Sequence, residues 1–218
     1  MKADSQVQRD VQAELSWEPS IRDAEIGVAA KDGVVTLSGY VDTFAEKYMA
    51  ERAAERVSGV RAIADDLKVK LPAAFQRSDT EIAHAVVEAL RADIQVPDDR
   101  IKAKVDGAWV TLEGDVEWQY QKSAAERAVR YLAGVVGVSN LLILKPKRAS
   151  TLEVSNKIRD ALRRNAELDA ERIVVEAADG RVTLKGWVRS YAERQDAERA
   201  AWAAPGVTSV DDKISINP

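Results

Sequence analysis

The sequence predicts an α+β protein of three tandem αββαβ domains, each a three-stranded mixed sheet with two helices packed on one face. Two observations lead to this prediction. Three glycines recur in each copy, and an Ala-Glu-Arg-Ala segment always stands between the last two of them. The period of 72 to 75 residues suits a small domain and is too long for a solenoid repeat. The predicted domains span residues 3–71, 78–145 and 150–217. The recurring glycines are Gly33, Gly39, Gly59, Gly107, Gly114, Gly134, Gly180, Gly186 and Gly206.

Each copy begins with a helical pattern in which apolar residues recur every four positions. In the first copy these residues are Val7, Val11 and Leu15, a spacing that places them on one helix face. A residue with a short, oxygen-bearing side chain precedes or opens each pattern. Such a side chain can accept a hydrogen bond from a free backbone N–H at the helix start. The predicted N-caps are Asp4, Ser78 and Ser150.

A β-hairpin follows the first helix of each copy. Its turn is marked by an Asp-Gly pair, and tight hairpin turns of this kind need residues with positive φ. We therefore expect positive φ at Gly33, Gly107 and Gly180. Copy two has one residue fewer before its Asp-Gly pair and one more after it. This difference predicts a hairpin shifted by one register, or a bulge, beside Trp109.

The second strand of each hairpin reads Val-Thr-Leu, an alternation typical of a half-buried strand. Its leucines are predicted to lie in the core, opposite the last leucine of the first helix. An Ala-rich helix and a closing strand complete each copy, and the third glycine stands where a helix C′ glycine belongs. The small residues of the Ala-Glu-Arg-Ala segment are interpreted as a face that lets helix and sheet approach closely. The predicted core leucines of the second strands are Leu37, Leu112 and Leu184.

The order of these elements resembles the BON domain, the bacterial osmotic-stress and nodulation domain. The matching pattern is helix, strand, Asp-Gly, Val-Thr-Leu-x-Gly-x-Val, Ala-Glu-Arg-Ala helix and closing strand, and it covers nearly the whole chain three times. The resemblance implies an αββαβ fold, no catalysis and roles at or near the bacterial envelope. Those roles include osmotic-stress protection, phospholipid binding, periplasmic chaperoning and potassium sensing. The motif glycines are fold residues in the family, so the resemblance brings no ligand site with it.

Composition excludes several kinds of chemistry. The 218 residues include no cysteine, which excludes disulfides, thiolate zinc sites and cysteine nucleophiles, and a single histidine, His84. The sequence has no phosphate-binding glycine loop and no Gly-x-Ser-x-Gly, so no enzyme, cofactor or metal site is expected. The net charge of −4 argues against a nucleic-acid partner. No apolar run approaches the roughly 18 residues of a transmembrane helix.

Aromatic and basic residues supply the candidate contacts with a lipid or a partner. Amphipathic rings beside basic side chains suit a lipid headgroup layer or a protein interface. Packing within the protein is the alternative, and for Trp118 and Tyr120 the two interpretations are weighted equally. Trp109 is expected at a contact between domains, where the open sheet faces would pack together. The candidate contact residues are Trp109, Trp118, Tyr120, Lys122, Lys145, Lys147 and Arg148.

The leading hypothesis is a non-enzymatic binding or scaffold protein of the bacterial stress response, osmotic or envelope-related. One alternative is a protein that binds anionic phospholipid surfaces. The other is a potassium-responsive protein whose site of backbone carbonyls would leave no mark in the sequence. The first residues lack the apolar core of an export signal, which predicts a cytoplasmic protein, or a periplasmic one if a signal has been removed. The ligand and the oligomeric state stay open.

Overall fold

The computed structural model describes residues 2–22, 25–146, 151–164 and 172–217. Three αββαβ units follow one another along the chain and are called domains 1, 2 and 3. In each mixed sheet the first two strands pair antiparallel, whereas the second and third pair in parallel. The second strand is therefore central in each sheet, and the predicted α+β fold is confirmed.

The three domains contain corresponding helices and strands. Domain 1 comprises α1 (Asp4–Trp17), β1 (Ile26–Lys31), β2 (Val34–Val41), α2 (Phe44–Glu55) and β3 (Ala62–Val69). Domain 2 comprises α3 (Asp79–Ala92), β4 (Ile101–Asp106), β5 (Trp109–Val116), α4 (Gln119–Arg130), β6 (Gly137–Asn140) and β7 (Ile143–Leu144). Domain 3 comprises α5 (Thr151–Arg164), β8 (Ile173–Ala178), β9 (Arg181–Val188), α6 (Tyr191–Trp202) and β10 (Ser209–Ile216). Strands β6 and β7 both pair in parallel with β5 and together take the place of a third strand.

Each core is built around the leucine of the central strand. These leucines are fully buried, and the last leucine of the first helix is buried opposite them, as the sequence predicts. The second helix approaches the sheet through alanines, which confirms the packing role predicted for the small residues of the Ala-Glu-Arg-Ala segment. The central leucines are Leu37, Leu112 and Leu184. The alanines of the segment that are fully buried include Ala53, Ala125 and Ala197.

The hairpin turns confirm the prediction of positive φ and resolve the irregularity of copy two. In domain 1 the two turn residues are Asp32 and Gly33, with φ of 53° and 78°. In domain 2 they are Gly107 and Ala108, with φ of 57° and 64°. The turn lies at the same place between the paired strands in both domains, with the same length and register. The Asp-Gly pair of copy two stands one position earlier, so that Gly107 takes the first turn position. The predicted register shift or bulge beside Trp109 is therefore wrong, because Ala108 adopts the positive φ of the second turn position and the strand pairing stays unchanged.

The helix caps agree with the prediction in domain 2 but not in domain 1. Ser78 caps α3, and its side chain and that of Glu81 exchange hydrogen bonds with each other's backbone N–H groups. The prediction for Asp4 is wrong, because Ala3 is the N-cap and Asp4 already lies in the helix. The carboxylate of Asp4 instead accepts hydrogen bonds from both backbone N–H groups of the hairpin turn, at 3.0 and 3.3 Å. Ser150 lies outside the described residues.

The described contacts between domains involve their second helices, α2, α4 and α6. Phe44 of domain 1 packs against the core of domain 2, and the Arg130 guanidinium lies 3.5 Å from the centre of the Tyr48 ring. The Gln195 side chain of domain 3 donates a hydrogen bond to Glu55 of domain 1 at 2.8 Å. The expectation that the open sheet faces pack together is therefore wrong. These helices offer rings and long polar side chains for contact.

Candidate functional site

A cleft of about 1030 Å³ lies where α2, α4 and α6 approach one another. All three domains contribute to its walls, so the site exists only in the assembled chain. Its lining combines aromatic rings, arginines and amide side chains. The residues that define this three-helix cleft include Tyr48, Arg52, Gln95, Trp118, Gln119, Tyr120, Arg127, Gln195, Glu198, Arg199 and Trp202.

Three arginines at equivalent positions of the repeat line this cleft. Arg52, Arg127 and Arg199 are the third residues of the three Ala-Glu-Arg-Ala segments. The first and last alanines of each segment pack against the domain core, so the arginine between them lies on the outer side of its helix. Because the three helices converge, one sequence position repeated three times supplies three cations to one space.

Each of these arginines is held by a polar neighbour, and the neighbour differs from domain to domain. Within the residues that the structure describes, each guanidinium uses one or two of the five N–H donors that it carries. Donors therefore remain for a ligand. Arg52 donates to Glu55 at 2.7 Å and to Gln195, Arg127 donates to Gln95 at 2.8 Å, and Arg199 donates to Asp196.

Two of the predicted contact residues, Trp118 and Tyr120, lie together at the cleft. Their ring centres are 6.4 Å apart and their planes are tilted by 32°. Tyr120 is 55% exposed and Trp118 is half-buried, so both rings remain accessible. Trp202 of domain 3 lies in the same lining, and its indole N–H donates to Glu198 at 3.3 Å. The contact role of Trp118 and Tyr120 stays a prediction, and their position is compatible with it.

Two of the basic residues predicted as contacts, Lys122 and Lys145, lie outside the cleft lining. Lys122 donates from its Nζ to a backbone carbonyl between β6 and β7, at 2.8 Å, which ties α4 to its own sheet. Lys145 pairs with Asp115 at 3.3 Å and is otherwise exposed. Lys147 and Arg148 lie outside the described residues. The side chain of Lys122 is thus directed to the sheet of its own domain rather than to the cleft.

Trp109 lies on the outer face of the domain 2 sheet rather than beside the three helices. Its ring lies directly over Gly137, and its indole N–H donates to the Ser139 hydroxyl at 2.8 Å. Both partners belong to domain 2, so the expectation of an inter-domain contact at Trp109 is wrong. The side chain is 46% exposed and remains a candidate contact for an outside partner.

Sequence reasoning missed the three arginines and Trp202. The Ala-Glu-Arg-Ala segment was interpreted as a packing face, and this interpretation explains its alanines but not its arginine. Packing requires small residues at the buried positions and leaves the outer position free to vary. The same arginine nevertheless stands at that outer position in all three copies. This repetition was the signal that pointed to a shared role.

A pair of carboxyl groups lies between α2 and the closing strand of domain 1. Lys47 forms an ion pair with Asp65 at 2.7 Å, and Asp65 also interacts with Glu51. Burial, together with the hydrogen bond and charge of Asp65, raises the pKa of Glu51 to about 7. Domain 2 has Asn140 in place of Asp65, and its amide donates to Glu126 at 3.2 Å. The carboxyl pair is therefore replaced there by an amide and a carboxylate.

The described residues offer neither a metal site nor a membrane-spanning helix. Within the described ranges, no group of three His, Cys, Asp or Glu side chains could hold a metal ion. Among the helices of that part of the chain, none has the length and apolar character needed to cross a membrane.

Comparison with known proteins places the chain in a family. It is 32% identical over 146 residues to Osmotically-inducible protein Y of Escherichia coli (strain K12), which covers 65% of this chain and 73% of that protein. A structure of CdsD, a structural protein of the type III secretion system of Chlamydia trachomatis, matches at 13% identity. The match covers 96% of this chain and 91% of that one, and its TM-score of 0.28 is too low to inform fold or function.

The family model of the BON domain matches residues 3–70, 78–146 and 150–218. These three matches cover nearly the whole chain, and each falls on one αββαβ unit of the structure. The protein therefore belongs to the BON domain family.

Proposed function

We propose that this protein is a non-enzymatic binding protein of the bacterial osmotic-stress response and that it binds its ligand in the three-helix cleft. The similarity to an osmotically inducible protein supports the physiological setting. The observation that carries the proposal is the convergence of Arg52, Arg127 and Arg199 on one cleft. A scaffold role would explain Arg52, which also donates to Gln195 of domain 3, but not Arg127 and Arg199, whose described partners belong to their own domains.

The chemistry of the lining supports binding rather than catalysis. Arginine stays protonated in proteins, so the three guanidinium groups can attract a ligand but cannot exchange protons with it. Among the described lining residues, the one carboxylate is Glu198, which already accepts a hydrogen bond from Trp202. Arginine, tryptophan and tyrosine are also the residues most enriched where binding energy is concentrated. The cleft thus has the composition of a recognition site.

The test is a complementation experiment under osmotic stress. A strain that lacks the gene is supplied with the wild-type protein, with a variant carrying R52Q, R127Q and R199Q, or with R91Q. Arg91 is the matched control, because it is an exposed helical arginine outside the cleft lining. The wild type and R91Q should restore growth at high osmolarity, whereas the triple variant should not. Full protection by a triple variant that retains native circular dichroism would contradict the proposal.

A second candidate, binding of an anionic phospholipid surface, is favoured by the outer sheet face of domain 2. Trp109, Leu141 and Ile143 are each about half exposed there, at 46%, 57% and 61%. Lys102 and Lys104 lie on the same outer face. They pair with Glu113 and Thr111 of β5, which alternate along that strand with the buried Val110 and Leu112. Rings and apolar side chains beside lysines suit the interface of an anionic bilayer.

Co-sedimentation with vesicles tests this second candidate. The wild-type protein should sediment with phosphatidylglycerol vesicles and not with phosphatidylcholine vesicles. Leu141→Ser should reduce the bound fraction, whereas R127Q in the cleft should leave it unchanged. Equal sedimentation of the wild type and Leu141→Ser would exclude this face as the membrane contact.

A further inference from the structure

The three-helix cleft also indicates the chemical class of its ligand. We infer that it binds a small organic polyanion that carries a planar ring, the class to which nucleoside polyphosphates belong. This inference rests on the proposed function, since it takes the cleft to be the binding site. The anionic groups would contact the arginines, and the ring would contact the aromatic pair on α4.

The arginines provide the anion-binding part of the site. A guanidinium presents its donors in a planar fork that matches the oxygens of a phosphate or carboxylate. Arg127 is held by the neutral amide of Gln95, so its charge is not compensated by that partner. Arg52 and Arg199 are paired with carboxylates of their own helices, and each has further N–H groups to donate. A ligand with several anionic groups can offer a separate group to each arginine.

The aromatic pair provides the part of the site that a planar ring would contact. Trp118 and Tyr120 present two accessible rings whose centres are 6.4 Å apart. Aromatic side chains bind bases by stacking, which does not depend on the base sequence. The amide of Gln119 lines the same cleft and can both donate to and accept from polar ring edges. The cleft thus offers a planar ring both stacking and hydrogen-bonding contacts.

The size of the cleft favours a molecule larger than inorganic phosphate. Sites for small ligands and cofactors usually measure about 300 to 1,000 Å³. The volume of about 1030 Å³ lies just above this range. A lone phosphate would contact the arginines and leave the aromatic pair exposed. A ligand that joins a polyphosphate or polycarboxylate to a ring would occupy both parts.

Isothermal titration calorimetry on the full chain tests this inference with adenosine triphosphate, guanosine triphosphate, pyrophosphate and adenosine as probes. At least one triphosphate should bind with a Kd below about 1 mM, and pyrophosphate and adenosine should bind at least about tenfold more weakly. R127Q should weaken binding of the triphosphate about tenfold or more, because a hydrogen bond to a charged group is lost. The control variant R91Q should bind as the wild type does.

Three results would overturn the inference. One is the absence of saturable heat with either triphosphate, and another is equal affinity for pyrophosphate and the triphosphates, which would leave no role for the ring. The third is binding of phosphatidylglycerol vesicles that R127Q abolishes, in the absence of triphosphate binding, because the anion would then be a lipid headgroup. None of these results decides the proposed function. That function fails only if the triple arginine variant still protects cells at high osmolarity.

Discussion

The raised pKa of Glu51 predicts that domain 1 loses stability as the pH rises toward neutrality. The protonated Glu51 donates to Asp65, and this form is favoured in the folded state, where the pKa is about 7 instead of the ordinary 4.5. Because the pKa of Glu51 is higher in the folded state than in the unfolded state, folding takes up a proton at any pH between these two pKa values. The stabilisation is therefore complete below about pH 4.5 and is lost as the pH rises through about 7. Lys47 and Glu55 face the pair with opposite effects on the pKa.

The magnitude follows from the same values. Raising a pKa from 4.5 to about 7 corresponds to about 3 kcal/mol in favour of the protonated form. Glu51 is only partly buried, and solvent screening at such a position reduces the effect to about 1 to 2 kcal/mol. The variant E51Q can donate to Asp65 at every pH and should therefore keep this stability above pH 7. At neutral pH and above, E51Q should be the more stable protein.

Amide hydrogen exchange, followed by mass spectrometry at several pH values and corrected for the intrinsic rates, reports each domain separately. The free energy of opening of β2 should fall by about 1 to 2 kcal/mol between pH 5 and pH 8 in the wild type and stay level in E51Q. E126Q in domain 2 is the matched control, because Asn140 there removes the carboxyl pair. It should leave the pH dependence of β2 unchanged. A β2 profile in E51Q that still matches the wild type would refute the reasoning.

Three further predictions concern the fold and the contact between domains. Gly114 has φ of 132°, and a Cβ there would overlap the backbone of Arg100, the residue before β4. Gly114→Ala should therefore lower the free energy of unfolding by at least about 2 kcal/mol, measured by chemical denaturation. Gly107→Ala should cost less, because the space around that glycine is open. Leu112→Ala, measured in the same way, should destabilise domain 2 by about 2 to 5 kcal/mol. In a double-mutant cycle, Tyr48→Ala and Arg130→Ala should show a coupling energy of about 1 kcal/mol. Each single variant should also increase the radius of gyration measured by small-angle scattering, because the contact between domains 1 and 2 is lost.

The fold could be predicted from the sequence because its signals are local and occur three times. The burial of Leu184 follows from an alternating strand, and the turn at Gly33 follows from the need for positive φ. The Asp-Gly pair of domain 2 is displaced by one residue in the sequence, but this displacement does not show that Ala108 takes a turn position and leaves the strand pairing unchanged. The sequence contains no signal for how Arg130 meets Tyr48, because that contact joins residues far apart in the chain. The domain contacts and the cleft could not be predicted for this reason.

The repetition of the domain explains how a site can arise from a motif that looks structural in any single copy. One exposed arginine on an isolated helix binds an anion weakly, because its charge is screened and its side chain is mobile. Once the second helices of three linked domains converge, the first contact brings the others to the ligand at high effective concentration. Arg52, Arg127 and Arg199 then act on one ligand, although each keeps a different local partner. The different partners also imply that the three substitutions need not have equal effects: Arg127, which has no carboxylate on its own helix as a described partner, should contribute the most.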